Sequence, residues 1–332
     1  MATHKIGVQI QSGVPQDYHN LLRLQPRTVK LLGNALNLDM AQAIRDLSPQ
    51  TIVVLRFAGG DQDYHKPANV YADECLRVFA PFQQRGLVDY VEHINEPAFR
   101  NKLDAAKSIE DAQAMSRHAV GFARQMRANG YQTIAYNFSV GVPALRVFDG
   151  ADLAVWQYLI EGVMESDALG FHEYSAPRMT DRGSAYCFRY RHVDDELLPP
   201  LGYKPKKFIT ECGIDRGVIA GKLGGYRTPE NLTTISDYCN DLGWYAAGLE
   251  QDPEVLGAHV FLYGASDEMR WGTFDVSGEP TFFAFMQWQP PVVVTPPPPP
   301  TNGGTMITSK EIEDALPVTF KQANIWNLGQ FI

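Results

Sequence analysis

The feature that most restricts the fold is a repeated change of hydrophobic period. Between Lys5 and about Trp288, short apolar runs rich in β-branched residues alternate with longer stretches of helical spacing. The strand-like runs are Ile6 to Ile10, Thr28 to Leu32, Thr51 to Phe57, Val88 to Ile94, Thr133 to Val140, Ala168 to Tyr174, Lys207 to Glu211 and Val255 to Tyr263. The helical stretches between them are Tyr18 to Leu24, Asp39 to Leu47, Tyr71 to Gln84, Ser108 to Asn129, Trp156 to Met164, a weaker one over Tyr186 to Leu198, and Ile235 to Leu249. Asp39 and Gln42 have capping-box spacing, and Ser108 precedes an acidic first turn. Eight strand-helix units fit an α/β chain closed as a (β/α)8 barrel, for which roughly 250 residues are typical. A doubly wound open sheet is the alternative. It would usually carry a glycine-rich phosphate turn after its first strand, where this chain reads Gln11-Ser12-Gly13-Val14-Pro15.

The barrel is expected over residues 1–289, because the composition then changes. Residues 290–304 hold Pro290-Pro291, a run from Pro296 to Pro300 and Asn302-Gly303-Gly304, a stiff polyproline spacer ending in a flexible joint. Residues 305–332 have a capping box at Thr308 to Glu311 and an apolar end with Trp326, but are too short for a core of their own. They read as a tail that docks on a partner or begins an accessory module.

With 332 residues, 45% of them hydrophobic, the chain can bury a large core. A formal net charge of -9 argues against nucleic acid or an anionic membrane as partner. The start of the chain shows no charged region followed by an apolar one, and no apolar run approaches the roughly 20 residues of a membrane span. It reads as a soluble protein whose export leader is absent or already removed. Cys75, Cys187, Cys212 and Cys239 form no C-x-x-C pair, which favours free thiols or one isolated bridge over a metal site.

Two carboxylates carry the chemistry. Val88 to Pro97 reads as a strand ending at Asn95-Glu96, since Pro97 cannot continue it, and the run from Lys207 ends at Glu211 before Gly213. In parallel α/β proteins the carboxyl ends of the strands border a common crevice. Two glutamates at two such ends make the pair that glycoside hydrolysis requires, one protonated to assist the leaving oxygen and one ionised to attack.

Asn95-Glu96-Pro97 after the fourth strand, His172-x-Tyr174 after the sixth, Glu211 after the seventh and Trp271-Gly272-Thr273-Phe274-Asp275 near the end together resemble clan A glycoside hydrolases, the retaining barrels that include family 5 cellulases and mannanases. The resemblance covers Lys5 to about Trp288. It implies Glu96 as acid/base, Glu211 as nucleophile, Asn95 as partner of the sugar 2-hydroxyl, and His172 and Tyr174 beside the nucleophile, with Tyr174 orienting it. It implies a carbohydrate substrate and no cofactor. Two departures stand out. The clan often has an arginine at the end of the second strand, where this chain has Lys30-Leu31-Leu32-Gly33-Asn34, and Arg56 at the end of the third is the substitute. The eighth strand often ends in tryptophan, where this one reads Phe261-Leu262-Tyr263-Gly264.

Each candidate also has a structural reading. Arg56 either lines the site or pairs with Glu92 in a bridge; His93 lines the pocket or packs the barrel; His172 serves the site or is a satisfied core histidine. Tyr263 and Trp271 stack on sugar faces or close the barrel end. Asp61, Asp63 and His65 suit a polar wall better than a metal site, since no His-x-His accompanies them. A carbohydrate-binding barrel without turnover, held in a larger assembly through the proline linker, is the second function class, and a metal-dependent hydrolase the third.

Overall fold

A computed structural model describes residues 4–11, 18–59, 62–99, 105–143, 151–181, 186–220, 224–264 and 271–288. Its strands are β1 (Ile6–Ile10), β2 (Thr28–Leu32), β3 (Ile52–Arg56), β4 (Tyr90–Glu92), β5 (Gln132–Phe138), β6 (Ala168–Ser175), β7 (Lys207–Ile214) and β8 (Val255–Tyr263). Each pairs in parallel with the next, and β8 returns to β1, so the sheet closes in sequence order. The helices are α1 (Tyr18–Leu24), α2 (Ala35–Leu47), α3 (Ala68–Gln84), α4 (Ala105–Ala128), α5 (Ala151–Glu165), α6 (Arg189–His192), α7 (Gly217–Ala220), α8 (Ile235–Leu249) and α9 (Pro280–Gln287). The protein is a (β/α)8 barrel. The open sheet is excluded by the β8 to β1 pairing.

Alternating strand residues divide between two cores. The outward set, among them Val8, Val29, Val53, Leu55, Val91, Ile209 and Val260, joins the inner faces of the helices in one large apolar layer. Val54, Tyr90, Ile134, Ala168 and Phe208 form a smaller cluster of their own, the layered filling that such barrels need to avoid a pore.

Several expected boundaries move for identifiable reasons. Helix α2 starts at Ala35 because Asn34 caps it, its side chain accepting from the Asn37 amide at 3.0 Å; the Asp39 capping box lies inside the helix. Ser108 likewise falls within α4, buried. The weak helix expected over Tyr186 to Leu198 is the single turn α6 followed by a π-turn at Val193–Leu197. All four cysteines are free and buried. No helix among the described residues is long and apolar enough to cross a membrane. Residues 289–332, with the proline run and the tail, lie outside the described residues.

Candidate active site

Because the strands are parallel, their carboxyl ends meet at one face, and a cleft opens there. It is lined by Gln11, Arg56, Asn95, Glu96, Tyr174, Glu211, Asp215, Phe261, Trp271 and Phe274. A second hollow shares Glu96, Tyr174 and Asp215 with it and is walled by Ser139, Val140, Gly217 and Val218.

Irregularities in the sheet aim the two glutamates. Along β7, Phe208 belongs to the small inner cluster and Ile209 to the outer layer, so strict alternation would turn Glu211 outward. The register instead skips Thr210: Phe171 pairs with Ile209, and His172 pairs with Glu211. That extra residue puts Glu211 in the cleft beside its neighbour from β6. A second bulge in β5, where Tyr136 and Asn137 both have positive φ, breaks the register between Ala135 and Phe138. Its Asn137 carbonyl accepts the Glu96 amide at 3.1 Å. Glu96 itself is left-handed at φ 47°, a conformation uncommon for a residue with a Cβ.

The two carboxylates sit in unlike surroundings. Glu211 is buried, and both of its oxygens are engaged. Oε1 accepts from Arg56 Nη1 at 2.8 Å and from Lys30 Nζ at 3.1 Å, while Oε2 accepts from the Tyr174 hydroxyl at 2.9 Å. Burial pushes the Glu211 pKa up, but His172, Lys30, Arg56 and the Tyr174 hydrogen bond outweigh it and hold the carboxyl far below its ordinary value. Tyr174 moves the opposite way, raised first by burial and then by the Glu211 charge, and so remains a donor. The Glu96 side chain is 45% exposed. His172 Nδ1 stands between the pair, 2.9 Å from Glu96 Oε1 and 3.4 Å from Glu211 Oε2. One nitrogen is thus within reach of an oxygen of each carboxylate.

Of the residues expected from sequence, Glu96, Glu211, Asn95, Arg56, Tyr174 and Trp271 line the cleft, and His172 lies directly behind it, fully buried at its side chain. Arg56 pairs with Glu211, while Glu92 is taken by Lys30. Tyr263 is a correction. The pairing of β8 with β1 slips between Val8–Val260 and Ile10–Tyr263, which turns Tyr263 into the outer layer, where its ring meets Phe283 of α9 edge-on at 6.3 Å. Phe261 faces the cleft instead, with Trp271 edge-on at 5.3 Å. His93 is a packing residue: its Nε2 lies 2.7 Å from His118 Nδ1. His65 binds Asp111 at 2.8 Å, and Asp61 lies outside the described residues. No group of three or more metal-ligating side chains is found among the described residues.

Sequence reasoning missed Lys30, Gln11, Asp215, Phe261 and Phe274 as site residues. Lys30 had a signal, since a lysine inside an otherwise apolar buried strand demands a buried counter-charge. Asp215 follows β7, and its Oδ1 accepts from the Gly217 amide at 2.7 Å. Burial raises its pKa, and the charges of Glu96 and Glu211 add to the rise.

No family model matches this chain, and no curated protein does. Solved structures share its architecture at low identity. A GH5-4 broad specificity endoglucanase from an uncultured bacterium aligns over 82% of this chain and 84% of its own, with 14% identity and a TM-score of 0.54. The endo-beta-1,4-mannanase from Thermotoga petrophila aligns over 86% and 76%, with 10% identity and a TM-score of 0.53. A GH128 endo-beta-1,3-glucanase from Sorangium cellulosum aligns over 86% and 99%, with 15% identity and a TM-score of 0.51. The structural neighbours of this (β/α)8 barrel thus include glycoside hydrolases of families 5 and 128.

Proposed function

We propose that the protein is a retaining β-glycoside hydrolase acting on an oligo- or polysaccharide. The observation that carries this reading is the asymmetric glutamate pair about one imidazole: Glu211 is buried and bound by two cations and a phenol, and Glu96 is half exposed and touches the same His172 nitrogen. Two carboxyl groups in such different settings suit two roles. Glu211 is the nucleophile. Its Oε2, on the Glu96 side, attacks the anomeric carbon while the bond to the leaving oxygen breaks and Glu96 gives that oxygen a proton. Oε1 becomes the ester carbonyl, still facing Lys30 and Arg56. Water then attacks from the Glu96 side, Glu96 takes its proton, and Glu211 leaves as carboxylate.

The surrounding groups follow from this. Asn95 Oδ1 is buried without a hydrogen-bond partner among the described residues, which suits it to a sugar hydroxyl at the reacting ring. Phe261 and Trp271 offer aromatic surface to the C–H face of a sugar. The second hollow shares Glu96 but lacks Glu211, which suits the leaving-group side. The endo-acting enzymes among the structural neighbours favour a polymeric substrate.

Substitution of each glutamate separates the roles. Glu211→Ala abolishes turnover of aryl β-glycosides and is rescued by azide with inversion, giving an α-glycosyl azide. Glu96→Ala still reacts with dinitrophenyl glycosides and gives the β-glycosyl azide. A barrel that only binds carbohydrate would turn over no member of a panel of such substrates, and full activity surviving either substitution would overturn the assignment.

A further inference from the structure

The barrel interior beneath Glu211 holds two fully buried charged side chains, one of them bound to that carboxylate. Lys30 on β2 and Glu92 on β4 both have 0% side-chain exposure, and Nζ lies 3.0 Å from Glu92 Oε1. Lys30 aims aligned hydrogen bonds at the Thr210 carbonyl and at Glu211 Oε1, each at 3.1 Å. Its approach to Glu92 is a charge contact: neither Glu92 oxygen has an aligned donor among the described residues. One buried ammonium is therefore shared by two carboxylates, and only one of them borders the cleft.

We propose that Lys30 and Glu92 act as a positioning pair for Glu211, Lys30 fixing the carboxylate and Glu92 serving as the counter-ion that Lys30 keeps while Glu211 is esterified. This rests on the reading of Glu211 as nucleophile. In each turnover that carboxylate loses its charge to a covalent bond and later regains it. Arg56 tolerates the change, since its side chain is 18% exposed and borders the cleft. Lys30 has no such access, and a buried cation stripped of its counter-ion is costly. Rotation of the ammonium group turns an N–H from Oε1 toward Glu92, so the interior stays balanced. When the ester breaks, the N–H returns to the departing carboxylate and stabilises it as leaving group.

The other groups facing Glu211 do not replace this pair. Arg56 comes from β3, Glu96 from the loop after β4, His172 and Tyr174 from β6, Asp215 from beyond β7 and His259 from β8. Burial pushes the His259 pKa well down, and the Lys30 charge adds to that, so His259 supplies no positive charge. Burial raises the Glu92 pKa overall, against the pull first of Lys30 and then of Arg56 and His172. The charge that reaches Glu211 from below is that of Lys30.

The test uses two variants of the full chain, Glu92→Gln and the doubly neutral Lys30→Met/Glu92→Gln, because Lys30→Met alone strands Glu92 in the interior. The first measurement is the titration of the Glu211 carboxyl by carbon-13 NMR, assigned with Glu211→Gln. In the double variant its midpoint rises by at least about one unit, a tenfold change in proton affinity, and in Glu92→Gln it does not rise. The second is the lifetime of the 2-fluoroglycosyl-enzyme. Glu92→Gln shortens it by about tenfold, and the double variant lengthens it by about tenfold, each tenfold being one decade of rate. An unchanged Glu211 midpoint in the folded double variant, or lifetimes that shift in the same direction in both variants, would overturn the proposal. If the double variant does not fold, an unchanged or longer lifetime in Glu92→Gln alone overturns it. A wild-type chain that forms no covalent intermediate would remove the hydrolase reading, while the titration would still decide whether Lys30 governs Glu211.

Discussion

At the residue scale, the site is built on the asymmetry between two glutamates, and Tyr174 is its most direct probe. Its hydroxyl donates to Glu211 Oε2 at 2.9 Å from a buried position and cannot ionise there. A hydrogen bond to a charged group contributes about 1.5–3 kcal/mol. Tyr174→Phe is therefore expected to lower kcat by about one to two decades with dinitrophenyl substrates, measured well below a melting temperature that itself falls. Full kcat in the folded variant would mark Tyr174 as a core residue only. Glu96 and Glu211 are legible in the sequence as carboxylates that close strand-like runs, and Asn95, His172 and Tyr174 through the resemblance to clan A glycoside hydrolases. Lys30 was in plain view but read as the absence of an arginine, and its bond to Glu211 depends on a contact across the barrel between β2 and β7 that no local pattern encodes.

At the scale of elements, the alternation of period is enough to find each strand of the described residues and to order them, because buried parallel strands are unmistakably apolar. What it could not supply was parity beyond a bulge. The extra residue at Thr210 and the slip in β8 each reverse which side chains face the cleft. The first restores Glu211 to the interior, and the second turns Tyr263 outward and leaves Phe261 at the cleft. Behind β6 lies a second carboxylate with a structural task. Glu173 accepts from the Phe188 and Tyr190 amides and from the Tyr245 hydroxyl, tying the strand to α6 and α8. Burial pushes its pKa up to about 7 against those donors and the charge of Arg189. The folded state thus holds this proton more tightly than the unfolded chain, so the stability it contributes is present below the ordinary glutamate range and is lost as pH rises through about 7. His118, lowered to about 4 by burial, acts in the other direction, losing stability as pH falls below the ordinary histidine range. Glu173→Gln should therefore gain melting temperature relative to wild type as pH rises from about 4.5 to 7, since the slope it removes lies in that window. A difference between the two proteins that is flat in pH would show that Glu173 binds no more protons in the folded protein than in the unfolded chain.

At the scale of the whole molecule, a parallel barrel gathers residues from distant parts of the chain at one face, and here that face holds both glutamates, the histidine between them, and aromatic side chains from the last strand and the loop beyond it. The central claim is that these glutamates act by double displacement. It is tested most directly by following, with proton NMR, the anomeric configuration of the first-formed product from an aryl β-glycoside incubated with the wild-type protein. The account predicts that the β-anomer appears first and then mutarotates toward equilibrium. Initial release of the α-anomer would contradict it, because a single displacement by water leaves no role for a nucleophile held as Glu211 is held.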